Sequence, residues 1–329
     1  MTVLAAARGD GADDAFPAEA DRYRRELLAH CYRMTGSLHD AEDLVQETYL
    51  RAWRAYKTFR GECSLRTWLY RIATNTCLSA LEGHRRRPLP TGLGAPAADP
   101  TAELHTDTEV PWLEPLPDPQ PDPAEVVGSR ETVRLAFVAA LQHLPPRQRA
   151  VLLLREVLQW SAAEVAAALD TSTAAVNSLL QRARAQLDRV GPSAQDRLVP
   201  PDSPQARELL DRYIAAFEAY DIDGLVRLFT DDAVWEMPPF TGWYRGPRTI
   251  ATLIKHNCPA ERAGDMRLLP LTANGQPAAA MYMINRDTGR HEPFQLHVIE
   301  LGPDGVGHVV AFLDAALFTK FGLPDRFPR

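Results

Sequence analysis

Cysteine is scarce in this 329-residue chain: there are four, with no CxxC pair and no metal-ligand spacing to histidine. This scarcity excludes a disulfide framework and predicts four reduced thiols, no metal site and no cofactor. Long apolar runs are also missing, because no stretch approaches the roughly 20 residues that a membrane-spanning helix needs. The N-terminus turns acidic where a signal peptide would stay apolar, so we expect a cytoplasmic protein without a membrane partner.

Charge is distributed unevenly around the net value of -7. Residues 21–87 carry +5 and residues 125–190 carry +2, whereas residues 88–124 between them carry -7. Two basic segments joined by an acidic one indicate polyanion contacts at two places. The overall acidity argues against indiscriminate coating of nucleic acid.

Residues 88–124 contain ten prolines and seven carboxylates, with no lysine or arginine. Such a stretch cannot bury enough apolar surface to offset its ordering entropy, which predicts an extended linker with Trp112 as a docking anchor. The composition then divides the chain into six parts: a disordered tail (1–20), a helical module (21–87), the linker (88–124), a second helical module (125–190), a second linker (191–204) and a C-terminal domain (205–329).

The first module reads as helical throughout. From Asp40 to Tyr56 the 3.6-residue period predicts a buried face, formed by Ala41, Leu44, Val45, Thr48, Ala52, Trp53 and Tyr56. The opposite face carries a polar patch of Asp43, Gln46 and Glu47, which share one side of a helix. A further helix is predicted from about Ser64 to Gly83, after a loop that turns at Gly61.

The second module shows the pattern of a helix-turn-helix. Pro145-Pro146 opens a helix predicted from Arg147 to Leu158, and Ser161 to Glu164 is a capping box for a short helix. A tight turn at residues 170–172 then leads into a longer helix from Thr173 to Val190. After residue 205, two helices precede segments that alternate with period two, which predicts an α+β domain.

The motifs of both modules resemble a known family. DAEDLVQETYLRAW followed by FRGECSLRTWLYRIATNTCLSALEGHRRR resembles region 2 of the extracytoplasmic-function (ECF) sigma-70 factors. LPPRQRAVLLLREVLQWSAAEVAAALDTSTAAVNSLLQRARAQL resembles their region 4. Residues 205–329, with YIAAFEAYDIDGLVRLFTDDAVWEMPP and the turn at 243–247, resemble the SnoaL-like, cone-shaped α+β domains related to ketosteroid isomerase. The implied fold is multidomain: all-α regions 2 and 4, a Pro-rich acidic linker, and a SnoaL-like domain.

The resemblance implies a promoter-specificity subunit that binds core RNA polymerase, at the β′ clamp and the β flap, and binds promoter DNA. For polymerase it implies Asp43, Gln46 and Glu47. For the minus-10 element it implies Phe59, Arg60, Gly61, Glu62, Arg71, Asn75, Arg85, Arg86 and Arg87, whose types suit stacking, base edges and phosphates. For the minus-35 element it implies Thr173, Asn177, Ser178, Gln181, Arg182 and Arg184 on the recognition helix.

The C-terminal domain is expected to modulate this activity by intramolecular contact or by sensing a small molecule. Candidates to line a pocket are Trp235, Met237, Trp243, Tyr244, His297 and Asp314. No carboxylate dyad stands out, so we assign no catalytic residue and expect a non-enzyme. Two alternatives stay open: an isomerase or cyclase fused to a DNA-binding arm, and a polymerase-independent helix-turn-helix regulator. The sequence leaves an anti-sigma partner undetermined.

Overall fold

The computed structural model describes residue 16 and residues 19–118, 133–190 and 198–328. Most of the predicted disordered tail and the first half of the second linker, residues 191–197, therefore lie outside the described residues. The described residues divide into two compact units. The N-terminal unit takes those of Met1–Arg86 and Ala140–Gly191, and the C-terminal unit takes those of Arg87–Ala139 and Pro192–Arg329. Across the described ranges, every helix is too short or too polar to cross a bilayer.

The N-terminal unit begins with three helices, and serine caps begin two of them. They are α1 (Arg24–Thr35), α2 (Leu38–Ala55) and α3 (Leu65–Ala80). The Ser37 side chain accepts a hydrogen bond from the Asp40 amide, and Ser64 accepts one from the Thr67 amide, as N-caps do. Phe16 is buried against the Tyr56 ring, with 4.7 Å between centroids, at a position expected to lie in the disordered tail.

The helix-turn-helix is confirmed in the same unit. Its elements are α4 (Leu135–Leu141), which crosses the unit boundary, α5 (Pro146–Leu152), α6 (Ala162–Ala168) and α7 (Thr173–Val190). The predicted capping box is present, with Ser161 and Glu164 bonding reciprocally. The helix expected to reach Leu158 widens into a π-helical turn at Leu153–Val157.

A buried arginine joins the two helical modules. Arg149 of α5 donates hydrogen bonds to the carbonyl of Met34, to Oε1 of Gln142 at 2.8 Å and to the carbonyl of Leu144 at 3.0 Å. Burial lowers the pKa of its guanidinium to about 10. The helices of both modules therefore share one interior within the N-terminal unit.

The C-terminal unit is an α+β domain, as the sequence predicts. Its helices are α8 (Pro204–Glu218), α9 (Ile222–Leu228), α10 (Pro247–Asn257) and α11 (Ala316–Lys320). Its strands are β1 (Phe229–Glu236), β2 (Trp243–Arg245), β3 (Met266–Ala273), β4 (Gln276–Asn285), β5 (Arg290–Gly302) and β6 (Gly305–Phe312). Side chains of α8, α9 and α10 form one core with the sheet.

The sheet has the order β2-β1-β6-β5-β4-β3. Its neighbouring strands run antiparallel, except that β1 pairs with β6 in parallel. The β3-β4 pairing is regular throughout, whereas the β4-β5 register shifts between Met281 and Tyr282. Apolar side chains on one face of these strands join the core formed with the helices. The hairpin turn between β3 and β4 is Asn274-Gly275, with φ of 56° and 65°, the left-handed backbone of a tight hairpin.

The structure differs from the expectation of an extended linker. Residues 88–118 are part of the C-terminal unit, where the Trp243 indole donates to the carbonyl of Gly94 at 2.9 Å. Leu113 is fully buried, whereas Trp112 is half-buried and its indole donates to the carbonyl of Asp107 within the same segment. Proline lacks a backbone N–H donor but keeps its carbonyl acceptor, so a proline-rich segment has few amide donors to satisfy when it is buried. Such a segment can therefore be ordered by packing on apolar surface.

Candidate polymerase and promoter interfaces

The helix α2 exposes the polar patch that the sequence predicts. Asp43 and Gln46 are exposed and Glu47 is half-buried. Nε of Arg51 lies 2.7 Å from Oε1 of Glu47, and Nε2 of His39 lies 3.8 Å from Oδ2 of Asp43. Each contact joins side chains one helical turn apart, and such pairs contribute little stability at an exposed surface. These contacts can therefore be replaced by contacts with a binding partner at a low cost in free energy.

Two large apolar side chains extend this patch. Leu50 is 48% exposed and Trp53 is 49% exposed, one and two turns after Gln46 on the same side of α2. The expectation that Trp53 lies on the buried face is wrong, because Trp53 falls at the edge of that face. Exposed apolar groups of this size are typical of a protein interface. The neighbouring carboxylates would repel the phosphates of a nucleic acid, so a protein partner is indicated. We call Asp43, Gln46, Glu47, Leu50 and Trp53 the α2 stripe.

The loop before α3 is built on stacked aromatic rings. Phe59 stacks on Trp68 with 4.7 Å between ring centroids, and the Tyr56 ring lies 6.3 Å from each of them. Gly61 has a φ of 72°, which favours glycine, and nothing lies within 4 Å of where its Cβ would be. The neighbours Arg60 and Glu62 are exposed. The loop thus offers ring surface and hydrogen-bonding groups next to open space.

Arg71 and Asn75 lie one turn apart on the same face of α3, and the side-chain amide of Asn75 is held by two hydrogen bonds. The Asn75 amide donates to the carbonyl of Arg71 at 3.0 Å and to the carbonyl of Ala168, in α6, at 3.1 Å. The Arg71 side chain is exposed. In this structure the amide expected to meet a minus-10 base is therefore bonded to the helix-turn-helix module.

The three consecutive arginines after α3, residues 85–87, differ in exposure and in contacts. Arg85 and Arg86 are exposed, and a guanidinium nitrogen of Arg86 lies 2.8 Å from Nδ1 of His143. Burial and the nearby Arg86 charge lower the pKa of His143. Arg87 belongs to the C-terminal unit and donates to the carbonyl of Trp112 at 3.3 Å. Arg87 is half-buried there, whereas Arg85 and Arg86 are exposed.

The recognition helix α7 exposes every predicted base-contacting residue. The exposed side chains are Thr173, Asn177, Ser178, Gln181, Arg182 and Arg184. Val176, Leu180 and Ala183 are buried on the opposite side, and the Ser172 hydroxyl accepts a hydrogen bond from the Ala175 amide at 3.2 Å. Of the predicted set, Arg184 is engaged in an ion pair with Glu156. The remaining residues form the polar surface that a groove-binding helix requires.

The interior of the C-terminal unit contains a short polar chain. Nδ1 of His297 lies 2.8 Å from the Tyr213 hydroxyl, and Nε2 lies 2.9 Å from Oε1 of Gln295. Burial lowers the pKa of His297 to about 3, so its ring is neutral at physiological pH. The Trp235 ring lies 5.4 Å from the His297 ring, and its buried indole N–H has no hydrogen-bond partner among the described residues.

The other predicted pocket residues divide between core and surface. Met237 and Tyr244 are buried in the main core, and the buried Trp243 bonds the linker instead of lining the interior. Asp314 is exposed, and its carboxylate accepts a hydrogen bond from the Ala316 amide at the start of α11. The pocket assignment of Asp314 is therefore wrong, because this residue lies at the surface with its carboxylate bonded to a backbone amide.

Sequence reasoning missed a buried charged cluster on the sheet. Glu236 is fully buried, and its Oε1 lies 2.7 Å from Nε2 of His308. Nδ1 of the same ring lies 3.8 Å from Oε2 of Glu300. Burial opposes the charge on His308, but hydrogen bonds to both carboxylates outweigh it and raise its pKa to about 10. Within the described ranges, no group of His, Cys, Asp and Glu side chains is arranged to hold a metal ion.

Comparison with known proteins agrees with this geometry. Family models for sigma-70 region 2, sigma-70 region 4 and the SnoaL-like domain match residues 20–87, 134–187 and 210–301. The ECF RNA polymerase sigma factor SigG of Mycobacterium tuberculosis is 70% identical over 321 residues, covering 97% of this chain and 85% of that protein. The sigma factor SigJ of Mycobacterium tuberculosis is 32% identical over 252 residues, covering 72% of this chain and 71% of that protein.

A solved structure extends the likeness to the fold. The crystal structure of Mycobacterium tuberculosis SigJ superposes with a TM-score of 0.60 at 25% identity, covering 94% of this chain and 99% of that one. That likeness spans both helical modules and the C-terminal domain, because the two chains are covered almost completely. Identity, domain order and fold together show that the chain belongs to the family of ECF RNA polymerase sigma factors with a C-terminal SnoaL-like domain.

Proposed function

We propose that this sigma factor acts through three surfaces whose residues the structure exposes. As a sigma factor, the chain binds core RNA polymerase in the cytoplasm, recognises promoter DNA and initiates transcription. We assign the α2 stripe to the β′ clamp of polymerase and the loop at residues 59–62 to the minus-10 element. The exposed side of α7 is assigned to the minus-35 element, and the C-terminal unit to modulation of all three.

The observation that carries the polymerase assignment is the composition of the α2 stripe. Within the N-terminal unit, Leu50 and Trp53 leave apolar surface in water that a partner would bury, at a gain of about 25 cal/mol per Å². Asp43 and Glu47 flank this surface and repel DNA, so the partner is a protein with a basic surface. A solvated helix face would not need large apolar groups at two successive turns.

The test is co-purification of the full chain with core polymerase after charge reversal on the stripe. Asp43→Lys with Glu47→Lys should lower the amount of bound chain at least tenfold, because both carboxylates become cations facing a basic surface. The matched control is Asp287→Lys, the same substitution at an exposed hairpin residue of the C-terminal unit. Equal retention of wild type and double variant, with the fold verified by circular dichroism, would contradict the assignment.

The minus-10 assignment is supported by the ring stack beside the loop. An extruded base needs a flat apolar surface and edge hydrogen bonds, and Phe59 on Trp68 with Arg60 and Glu62 supplies both. The amide of Asn75 would join this set after it leaves the carbonyl of Ala168. Minus-10 binding thus requires the contact between the two helical modules to open.

The C-terminal unit is proposed as a modulator without turnover. An isomerase-type site needs a carboxylate base aimed at an apolar cavity. Among the described residues, the hydrogen bonds of the buried His297 run to Tyr213 and Gln295, and the buried carboxylate of Glu236 bonds instead to His308. Run-off transcription with core polymerase should differ between the full chain and a form cut after Pro192; identical output would remove the modulatory role.

A further inference from the structure

We propose that Phe16 and Glu19, which precede sigma region 2, are positioning residues for the capture of a minus-10 base. This inference rests on the proposed function and adds two residues to its minus-10 site. Both residues act through Tyr56, whose ring lies beside the stack of Phe59 and Trp68. The following contacts connect them to that stack.

The first contact is between two aromatic rings. The ring centroids of Phe16 and Tyr56 are 4.7 Å apart, with an interplanar angle of 50°, and both residues are buried. The match to sigma-70 region 2 begins at residue 20, so Phe16 lies before the matched segment. A buried phenylalanine ring contributes by packing, because its surface has been removed from water. Here that packing is directed at Tyr56.

The second contact holds the other end of the Tyr56 side chain. The Tyr56 hydroxyl donates a hydrogen bond to Oε2 of Glu19 at 3.2 Å. The next residue, Ala20, accepts a hydrogen bond at its carbonyl from the Tyr49 hydroxyl at 3.1 Å, which ties this segment to α2. Phe16 therefore packs against the ring of Tyr56 and Glu19 holds its hydroxyl. Together the two contacts restrain the orientation of the side chain.

Tyr56 is joined to the loop by backbone and by ring contacts. It begins a short 3-10 helix, Tyr56–Thr58, and the Phe59 amide donates to the Tyr56 carbonyl at 3.0 Å. The rings of Tyr56 and Phe59 are within 18° of parallel, and Phe59 in turn stacks on Trp68. Because closely packed rings restrain one another, a Tyr56 side chain that is free to turn would leave Phe59 less fixed.

The orientation of Phe59 matters for base capture. Phe59 and Trp68 are half-buried, so part of their ring surface is open to solvent. A base stacked on an aromatic ring contributes about tenfold to binding, and the gain is largest when the ring is already held in place. Phe16 and Glu19 should therefore affect promoter opening. They should not affect polymerase binding, because the α2 stripe includes neither of them.

The test compares full-length variants in holoenzyme with core polymerase. Glu19→Ala removes the acceptor of the Tyr56 hydroxyl, whereas Glu19→Gln, its matched control, removes the charge and keeps an acceptor oxygen. Phe16→Ala removes the packed ring, and Phe16→Leu keeps an apolar side chain in its place. Phe59→Ala removes the proposed base-binding ring itself. The probe is a promoter fragment that the wild-type holoenzyme transcribes, and permanganate reactivity of its unpaired thymines measures opening.

We expect Phe16→Ala to lower permanganate reactivity about tenfold, the worth of one base stack, and Glu19→Ala to lower it about threefold. Phe16→Leu should recover at least half of the lost reactivity, and Glu19→Gln should match wild type. All four variants should co-purify with core polymerase as wild type does. Recovery by the conservative variants distinguishes positioning from a general loss of structure.

Wild-type opening in both Phe16→Ala and Glu19→Ala, together with a defect in Phe59→Ala, would overturn this inference alone. Wild-type opening in Phe59→Ala would overturn the minus-10 assignment, and the inference with it. If Phe16→Ala loses core polymerase as well, the two Glu19 variants decide, because equal opening in Glu19→Ala and Glu19→Gln would overturn the role of the hydrogen bond to Tyr56.

Discussion

The side-chain amide of Asn75, in sigma region 2, donates a hydrogen bond of 3.1 Å to the carbonyl of Ala168, in the helix-turn-helix of region 4. The rings of Tyr70 and Trp160 meet across the same junction, with 6.5 Å between centroids. A residue expected to read promoter DNA is thus bonded to the other promoter-binding module. Both contacts hold the helices of region 2 against the helix-turn-helix within the N-terminal unit.

Arg149 should be the costliest single residue to replace at this junction. Arg149→Ala would remove the buried guanidinium that donates to Met34, Gln142 and Leu144, at about 2–4 kcal/mol of unfolding free energy. Arg149→Lys should restore less than half of the lost unfolding free energy, because one ammonium group cannot reproduce the several directed hydrogen bonds of a planar guanidinium. Urea unfolding measures both variants. A lysine variant as stable as wild type would show that the fork geometry is unimportant.

His297 should make the C-terminal unit sensitive to acid. Its folded pKa of about 3 lies below the unfolded value of 6.5, so between these values the unfolded chain binds a proton that the folded chain rejects. Stability attributable to this residue therefore falls as pH drops below 6.5, by about 1.4 kcal/mol per pH unit. His297→Gln should flatten this dependence in urea unfolding between pH 7 and 5. The difference between wild type and variant cancels the similar contribution of the buried His30.

His308 should make the C-terminal unit less stable as pH rises, in contrast to His297. Its folded pKa of about 10 lies above 6.5, so its contribution is fully present below pH 6.5 and is lost as pH rises towards 10. His308→Gln should therefore be destabilised at pH 6, and its deficit relative to wild type should shrink by pH 10. Thermal unfolding at both pH values provides the measurement. A deficit that is independent of pH would mean that the ring acts by packing alone.

The recognition helix should show separate effects of base and phosphate contacts. Gln181→Ala should cost about 1–3 kcal/mol of discrimination at one base pair of the minus-35 element. Arg182→Ala should weaken binding to all promoters alike and lower the salt slope by about 1. Holoenzyme binding to promoter duplexes at several salt concentrations distinguishes them, with Arg189→Ala near the end of α7 as control. Equal salt slopes for wild type and Arg182→Ala would exclude the phosphate contact.

For some site residues, the periodicity of the sequence was sufficient to predict which side of a helix is exposed. Thr173, Asn177 and Gln181 could be assigned to the exposed side of α7 because a helix repeats every 3.6 residues and the buried positions are apolar. Trp53 could not be placed, because a residue at the edge of an amphipathic face is buried or exposed according to what packs beside it. Asp314 could not be placed either, since a surface carboxylate that bonds a backbone amide and one that lines a cavity look alike in sequence.

The helical modules, the helix-turn-helix, the α+β class of the C-terminal domain and the family resemblance could all be predicted from the order of the residues. All of these depend on local periodicity, capping residues and contiguous motifs. The ordered packing of residues 88–118, the partner of Asn75 and the cluster around His308 became known only from the folded chain. Asn274 contacts Leu116, which is 158 positions away in sequence. Such contacts depend on apolar burial and on pairing of buried charges between distant segments, and neither leaves a periodic trace in the chain.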